Sequence, residues 1–165
     1  YYGFYSIYME ELGYSKTLIG QLWAVGVIAE VLVFLVMHRL LQRLGARNVL
    51  MASLLLAALR WYLIGHFADS LIILFFAQTL HAATFGTFHA AAIHLVHHYF
   101  TGRHQGRGQA RYSSLSFGLG GALGTVSSGL LWEGAGPTVV FDLSVVMSLL
   151  GLVIVRRWVV NDLGR

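Results

Sequence analysis

Residues 17–37 read "TLIGQLWAVGVIAEVLVFLVM", an almost unbroken apolar run with one ionisable side chain, Glu30. About 20 such residues, rising about 1.5 Å each as an α-helix, match the roughly 30 Å hydrocarbon core of a bilayer. A surface helix of a soluble protein would carry a polar face, whereas this run is apolar all round, and that favours lipid as its surroundings. Working outward, residues 48–67, 71–96, 112–132 and 138–155 satisfy the same length rule, and residues 1–9 read as the outer end of a further span whose beginning is missing. Backbone groups unpaired in hydrocarbon are too costly for anything but helices or closed barrels, and ten-residue alternating segments are absent. The fold class expected is therefore all-α, a polytopic membrane helix bundle.

Composition agrees. Hydrophobic residues make up 57% of the 165-residue chain and charged residues 11%, with a mean hydropathy of +0.69. The formal charge of +4 is spread thinly, with no basic-aromatic groove pattern, which argues against a nucleic-acid partner. The absence of cysteine removes disulfides, thiolate metal sites and thiol nucleophiles. Nine of the eleven basic residues fall on one side of the alternating spans: Arg39, Arg43, Arg47, Arg103, Arg107, Arg111, Arg156, Arg157 and Arg165. Glu10, Glu11, Lys16, Asp69 and Glu133 fall on the other. The positive-inside rule makes the Arg-rich side cytoplasmic, C-terminus included. Two hydrophilic stretches, "HRLLQRLGARN" and "TGRHQGRGQAR", read as connectors, and Pro137 is placed to open the last span. Glycines four apart in "FGLGGALGTVSSG" predict close helix packing.

Against that background a few polar side chains stand out. In "AALRWYLIG", residues 57–65, Arg60 sits near mid-span, where insertion costs about 2.5–3.5 kcal/mol and calls for an aqueous cavity or a partner. Glu30 and His81 fall at similar depth in the neighbouring spans, so the three are expected to form one polar cluster. Helical spacing places Trp23 with Glu30, Ser53 with Arg60, and Gln78 with His81, Thr84 and Phe88, each on one stripe. Tyr1, Tyr5 and Tyr8 line a face of the first segment, either as an interfacial belt or as a substrate-facing stripe. His89 lies deeper and either extends a proton path or simply packs. His94, His97, His98 and His104 gather at the inner surface, where, with no carboxylate or cysteine among them, they read as solvated rather than metal-binding. Asp142 is shallow enough to reach water, and neither a metal nor any other cofactor is expected.

The segments "YYGFYSIYMEELGYSKTLIGQLWAVGVIAEVLVF", "LRW" and "QTLHAATFGTFHAA" together resemble the C-terminal half of a major facilitator superfamily permease, closest to the phenylpropionate-permease-like group. The lactose-permease-like proton symporters are more distant relatives. The resemblance covers essentially the whole chain. It implies a six-span half of a twelve-span transporter, with the first span truncated and the N-terminal half absent. "HRLLQRLGAR" resembles the superfamily loop motif at Leu40, Arg43, Gly45 and Arg47 and departs from it at His38, Gln42 and Ala46, the motif's aspartate being absent. Arg60 and His81 correspond to the lactose-permease-like arginine and histidine, while Thr84 stands where those relatives have a glutamate. The resemblance thus implies no enzyme. It implies proton-coupled import of a small organic solute, foremost an aromatic carboxylate such as phenylpropionate, through a bacterial inner membrane, with Glu30 as substitute proton carrier. Glu30, Arg60, His81, Thr84, His89, Tyr5, Tyr8, Trp23 and Gln78 are the expected substrate and coupling residues. Two alternatives stay open: a histidine-rich membrane metal or redox protein, and a structural half without transport activity alone.

Overall fold

The computed structural model describes residues 1–160; Arg165 and the rest of the tail lie outside the described residues. Every regular element among these residues is helical. The elements are α1 (Tyr5–Glu11), α2 (Lys16–Phe67), α3 (Leu71–His81), α4 (Thr87–Tyr99), α5 (Gln105–Ser113), α6 (Gly120–Ala135) and α7 (Pro137–Trp158). α3 runs into α4 through a π-helical turn at Ala82–Gly86, and α5 into α6 through another at Ser114–Leu119. The chain is an all-α membrane helix bundle and an integral membrane protein. Four continuous helical stretches are long and apolar enough to cross a bilayer: Lys16–Phe67, Leu71–Tyr99, Gly102–Ala135 and Pro137–Trp158.

The 52-residue α2 is two helical limbs joined at Gly45, whose φ of 76° and ψ of 153° break the helix. Ser15 caps its start by accepting from the Leu18 amide at 3.3 Å. Just past the break, Arg47 Nη2 donates to the Arg156 carbonyl at 2.7 Å, tying the sharp bend to the C-terminal end of α7. Pro137 occupies the first turn of α7, where its missing N–H costs no helical bond.

The helices run further than the apolar stretches alone suggested. Most of "TGRHQGRGQAR" is helical from Gly102 onward, and the span of 112–132 therefore begins ten residues earlier. Arg, Gln and Ala are good helix formers, so a span can extend into water without changing conformation. Large apolar side chains such as Leu35, Ile72, Leu130 and Met147 are exposed, as lipid-facing residues should be.

Two clusters hold the bundle together. The outer one gathers Tyr5, Tyr8, Met9, Leu22, Ile64, Leu74 and Phe141; the inner one gathers Met37, Val49, Leu50, Ala91, Leu95 and Val155. α6 departs from expectation, because none of its residues is buried. Gly118, Gly121 and Gly124 have nothing within 4 Å of where a side chain would start, whereas a side-chain carbon at Gly129 would meet Phe4 at 3.6 Å, so among the described residues the glycine stripe packs against another segment only at its Gly129 end. It borders instead a groove of about 700 Å³ walled by Gly120, Gly124, Ser127, Ser144 and Ser148, with Tyr1 and Trp61 at its side.

Candidate functional site

Arg60 is 1% exposed. Its position on the second limb of α2 points it at α3, where Nε donates to the Ala77 carbonyl at 3.0 Å and Nη2 to Gln78 Oε1 at 3.3 Å. Nη1 reaches Thr84 Oγ1, in the π-turn, at 3.5 Å. The guanidinium carbon lies 4.3 Å from the centroid of the Tyr1 ring and 4.6 Å from that of Trp61. Ring faces and neutral oxygens thus surround the cation, and the ion pairs among the described residues, Lys16–Glu10, His66–Asp142 and His81–Glu30, do not include it.

The expected cluster therefore forms in two parts. His81 Nε2 faces Glu30 Oε2 at 3.8 Å, with both side chains largely enclosed. Glu30 does not pair directly with Arg60. The reason is the side of the helical stretch each reaches: Arg60 is engaged by Ala77, Gln78 and Thr84, whereas Glu30 lies against His81 and Gly86. His81 stands between the two parts. A side-chain carbon built at Gly26 would stand 3.5 Å from the imidazole, so the first limb of α2 packs closely on that ring.

Gln78 and the aromatic residues complete the enclosure. Gln78 Oε1 also accepts from the Tyr1 hydroxyl at 2.9 Å. Its own Nε2, the Tyr5 hydroxyl and His81 Nδ1 are buried without hydrogen-bond partners. Three unsatisfied polar atoms on neighbouring residues mark a place able to take water or a polar solute. Trp23 donates to Ser6 Oγ at 3.1 Å and stacks with Tyr2 at 5.6 Å. Tyr5 meets the Trp23 ring edge-to-face at 5.5 Å. Tyr8 goes elsewhere: its ring packs on Trp132 and Phe141, so it supports the outer core rather than the site. A turn of helix separates Tyr5 from Tyr8, and at that height α6 and α7 replace the first limb of α2 as neighbours.

A cavity of about 230 Å³ opens beside Arg60, lined by Tyr1, Trp61, His81, Thr84, Phe85 and Ala57 among others. His81, Phe85 and His89 continue from it as a column of nearly parallel rings, 5.4 and 6.2 Å apart. His89 Nδ1 meets the Tyr112 hydroxyl at 3.3 Å, the hydrogen bond that links this column to the next span. Tyr2, Trp61 and Phe85 are not among the residues expected from spacing, whereas Tyr1 is. Trp61 follows Arg60 directly, and adjacent helical positions do not normally face the same way. Here the guanidinium carbon nonetheless lies 4.6 Å from the centroid of its own neighbour's ring.

The model of the MFS_1-like family matches residues 1–143. The chain belongs to the MFS_1-like family. A relative similar to this MFS_1-like chain is the probable 3-phenylpropionic acid transporter of Escherichia coli (strain K12), 36% identical over 150 residues. The match covers 88% of this chain and 38% of that relative's length. No solved structure matches the chain. Among the described residues, no group of three or more His, Asp or Glu side chains of the MFS_1-like chain could hold a metal ion, and His97 instead faces Gln109 Oε1 at 3.4 Å.

Proposed function

We propose that the chain is the C-terminal six-helix half of a proton-coupled symporter that imports a small organic solute, an aromatic carboxylate of the phenylpropionate type, by alternating access. The observation that carries this reading is the state of Arg60: a buried cation held only by neutral acceptors, with two ring faces against it and a cavity beside it. Such a group attracts a planar carboxylate, which it can bind through two parallel N–H bonds. The walls of the cavity offer ring faces to an aromatic body. At about 230 Å³ the space is below the roughly 300–1,000 Å³ of sites for drug-sized ligands, which suits one ring on a short chain. The name of the E. coli relative, a probable 3-phenylpropionic acid transporter, supports the same solute class.

Proton coupling falls to Glu30 and His81. Enclosing a carboxylate in hydrocarbon with an imidazole 3.8 Å away as its neighbour is costly, so Glu30 takes up a proton before the loaded site closes and releases it once the opposite side opens. His81, 3.8 Å away, is placed to pass that proton or to report its presence to the solute beside Arg60. The site would lie near the midplane, facing the other half of the transporter. The membrane would be a bacterial inner membrane with the Arg-rich side and the C-terminus in the cytoplasm.

The test uses the whole permease in sealed vesicles. An imposed pH gradient should drive solute accumulation, about tenfold per pH unit for one proton per solute, since each unit stores about 1.4 kcal/mol. Glu30→Gln should bring that ratio to one while solute exchange across the membrane continues. Undiminished accumulation by the variant would remove Glu30 from the mechanism.

A further inference from the structure

We infer that Gly86 is a positioning residue for the Glu30–His81 couple, a conclusion that rests on the proton-coupled reading of that pair. Gly86 is buried and closes the π-turn that begins directly after His81. A side-chain carbon at position 86 would stand 3.0 Å from Glu30 Cγ and 3.4 Å from Oε1. His81 Nε2 is 3.8 Å from the other oxygen of the same carboxylate. One carboxylate therefore lies against residues 81 and 86 at once.

The wide turn makes this possible. On a regular α-helix, residues five apart are rotated about 140° from one another and face different neighbours. Bonding to the fifth rather than the fourth residue widens the turn and brings positions 81 and 86 back to a shared side. One of those positions must then carry the imidazole and the other must be nearly empty, because the carboxylate has to approach the backbone. Glycine at 86 meets that requirement. An added methyl would push the Glu30 stem back, and the stem and carboxylate move as one, so the separation from His81 would change.

In the whole permease, Gly86→Ala should lower pH-driven accumulation per copy by about threefold or more while solute exchange changes by much less. Combined with Glu30→Gln it should add no further loss. Gly65→Ala supplies the comparison for a purely steric fault: its new carbon would lie 2.9 Å from Phe141 Cβ, away from the site, so it should reduce the amount of folded protein but not accumulation per copy. Accumulation and exchange falling in equal proportion in Gly86→Ala, or no change in either, would overturn the inference. A separate readout stands apart from transport. Gly86→Ala should lower the thermal stability of the purified permease in the native background but not in Glu30→Ala, which removes the atoms it strikes. Should Gly86→Ala alone fail to insert, recovery of insertion by Glu30→Ala counts in favour. Independent, additive costs would count against. Accumulation unaffected by Glu30→Gln would defeat the proton reading, and the stability cycle would still decide whether Gly86 positions Glu30.

Discussion

Arg60→Ala is expected to weaken binding of an aromatic carboxylate by about 100-fold, the loss anticipated when one partner of an enclosed charge pair is removed at a cost of about 3 kcal/mol. The effect should be specific for charge. The wild-type permease should bind the carboxylate far better than its primary amide, and the variant should bring the two within about threefold of each other. Arg60→Lys should fall between, because a single ammonium cannot hold the Ala77 carbonyl, Gln78 and Thr84 while also presenting a fork to the solute. Equilibrium binding of both ligands to purified protein makes the measurement. Retained discrimination in Arg60→Ala would mean that the anion is bound elsewhere. Folding is not expected to suffer heavily, since the substitution removes a desolvated cation whose acceptors are carbonyl and hydroxyl groups with other partners.

A comparably large effect is expected at Gly45, by a different route. Its backbone conformation lies in a region open essentially only to glycine, where a residue with a side chain pays about 1–3 kcal/mol. A β-branched residue is less tolerant still. Gly45 and Ala46 are buried at the bend that reverses the chain between two spans, and Arg47 beside them anchors the end of α7. Gly45→Ala should therefore lower stability by about 2 kcal/mol, and Gly45→Val should prevent most of the protein from reaching a folded state in the membrane. Gly121→Ala, at a site with nothing within 4 Å, should change stability by no more than about 0.5 kcal/mol. Thermal unfolding in detergent and the amount recovered from membranes would show the contrast. Equal tolerance at positions 45 and 121 would mean that the bend is not held as described.

Some of this architecture is legible without coordinates, and the boundary is physical. The run 17–37 declares a span because lipid selects on length and polarity, both one-dimensional properties. The connectors are harder, since Arg- and Gln-rich helix and Arg- and Gln-rich loop have the same composition. The π-turns leave no mark, as one extra residue per turn shifts contacts without changing polarity. Within the site, Arg60, His81 and Glu30 stand out because ionisable groups are rare in hydrocarbon. Which of them touch is another matter. Depth along a helix is fixed by counting, but the division into Arg60 with α3 and Glu30 with His81 depends on which side of α3 each reaches. Tyr8 was placed with Tyr5 for the same reason, and a neighbouring helix decided otherwise.

That the hydrogen bonds of Arg60 to Ala77, Gln78 and Thr84 all reach forward into residues 77–84 bears on how the protein is made. When residues 48–67 leave the ribosome, those acceptors have not yet followed them out. The segment meets the bilayer with its guanidinium lacking those acceptors, at about 2.5–3.5 kcal/mol, offset by Val49, Leu50, Leu54, Leu55, Leu56, Leu59, Leu63, Ile64 and Phe67 at about 0.3–0.6 kcal/mol each. The two amounts nearly balance, so commitment of this span to lipid waits on the arrival of the next one, and the pair should insert as a hairpin.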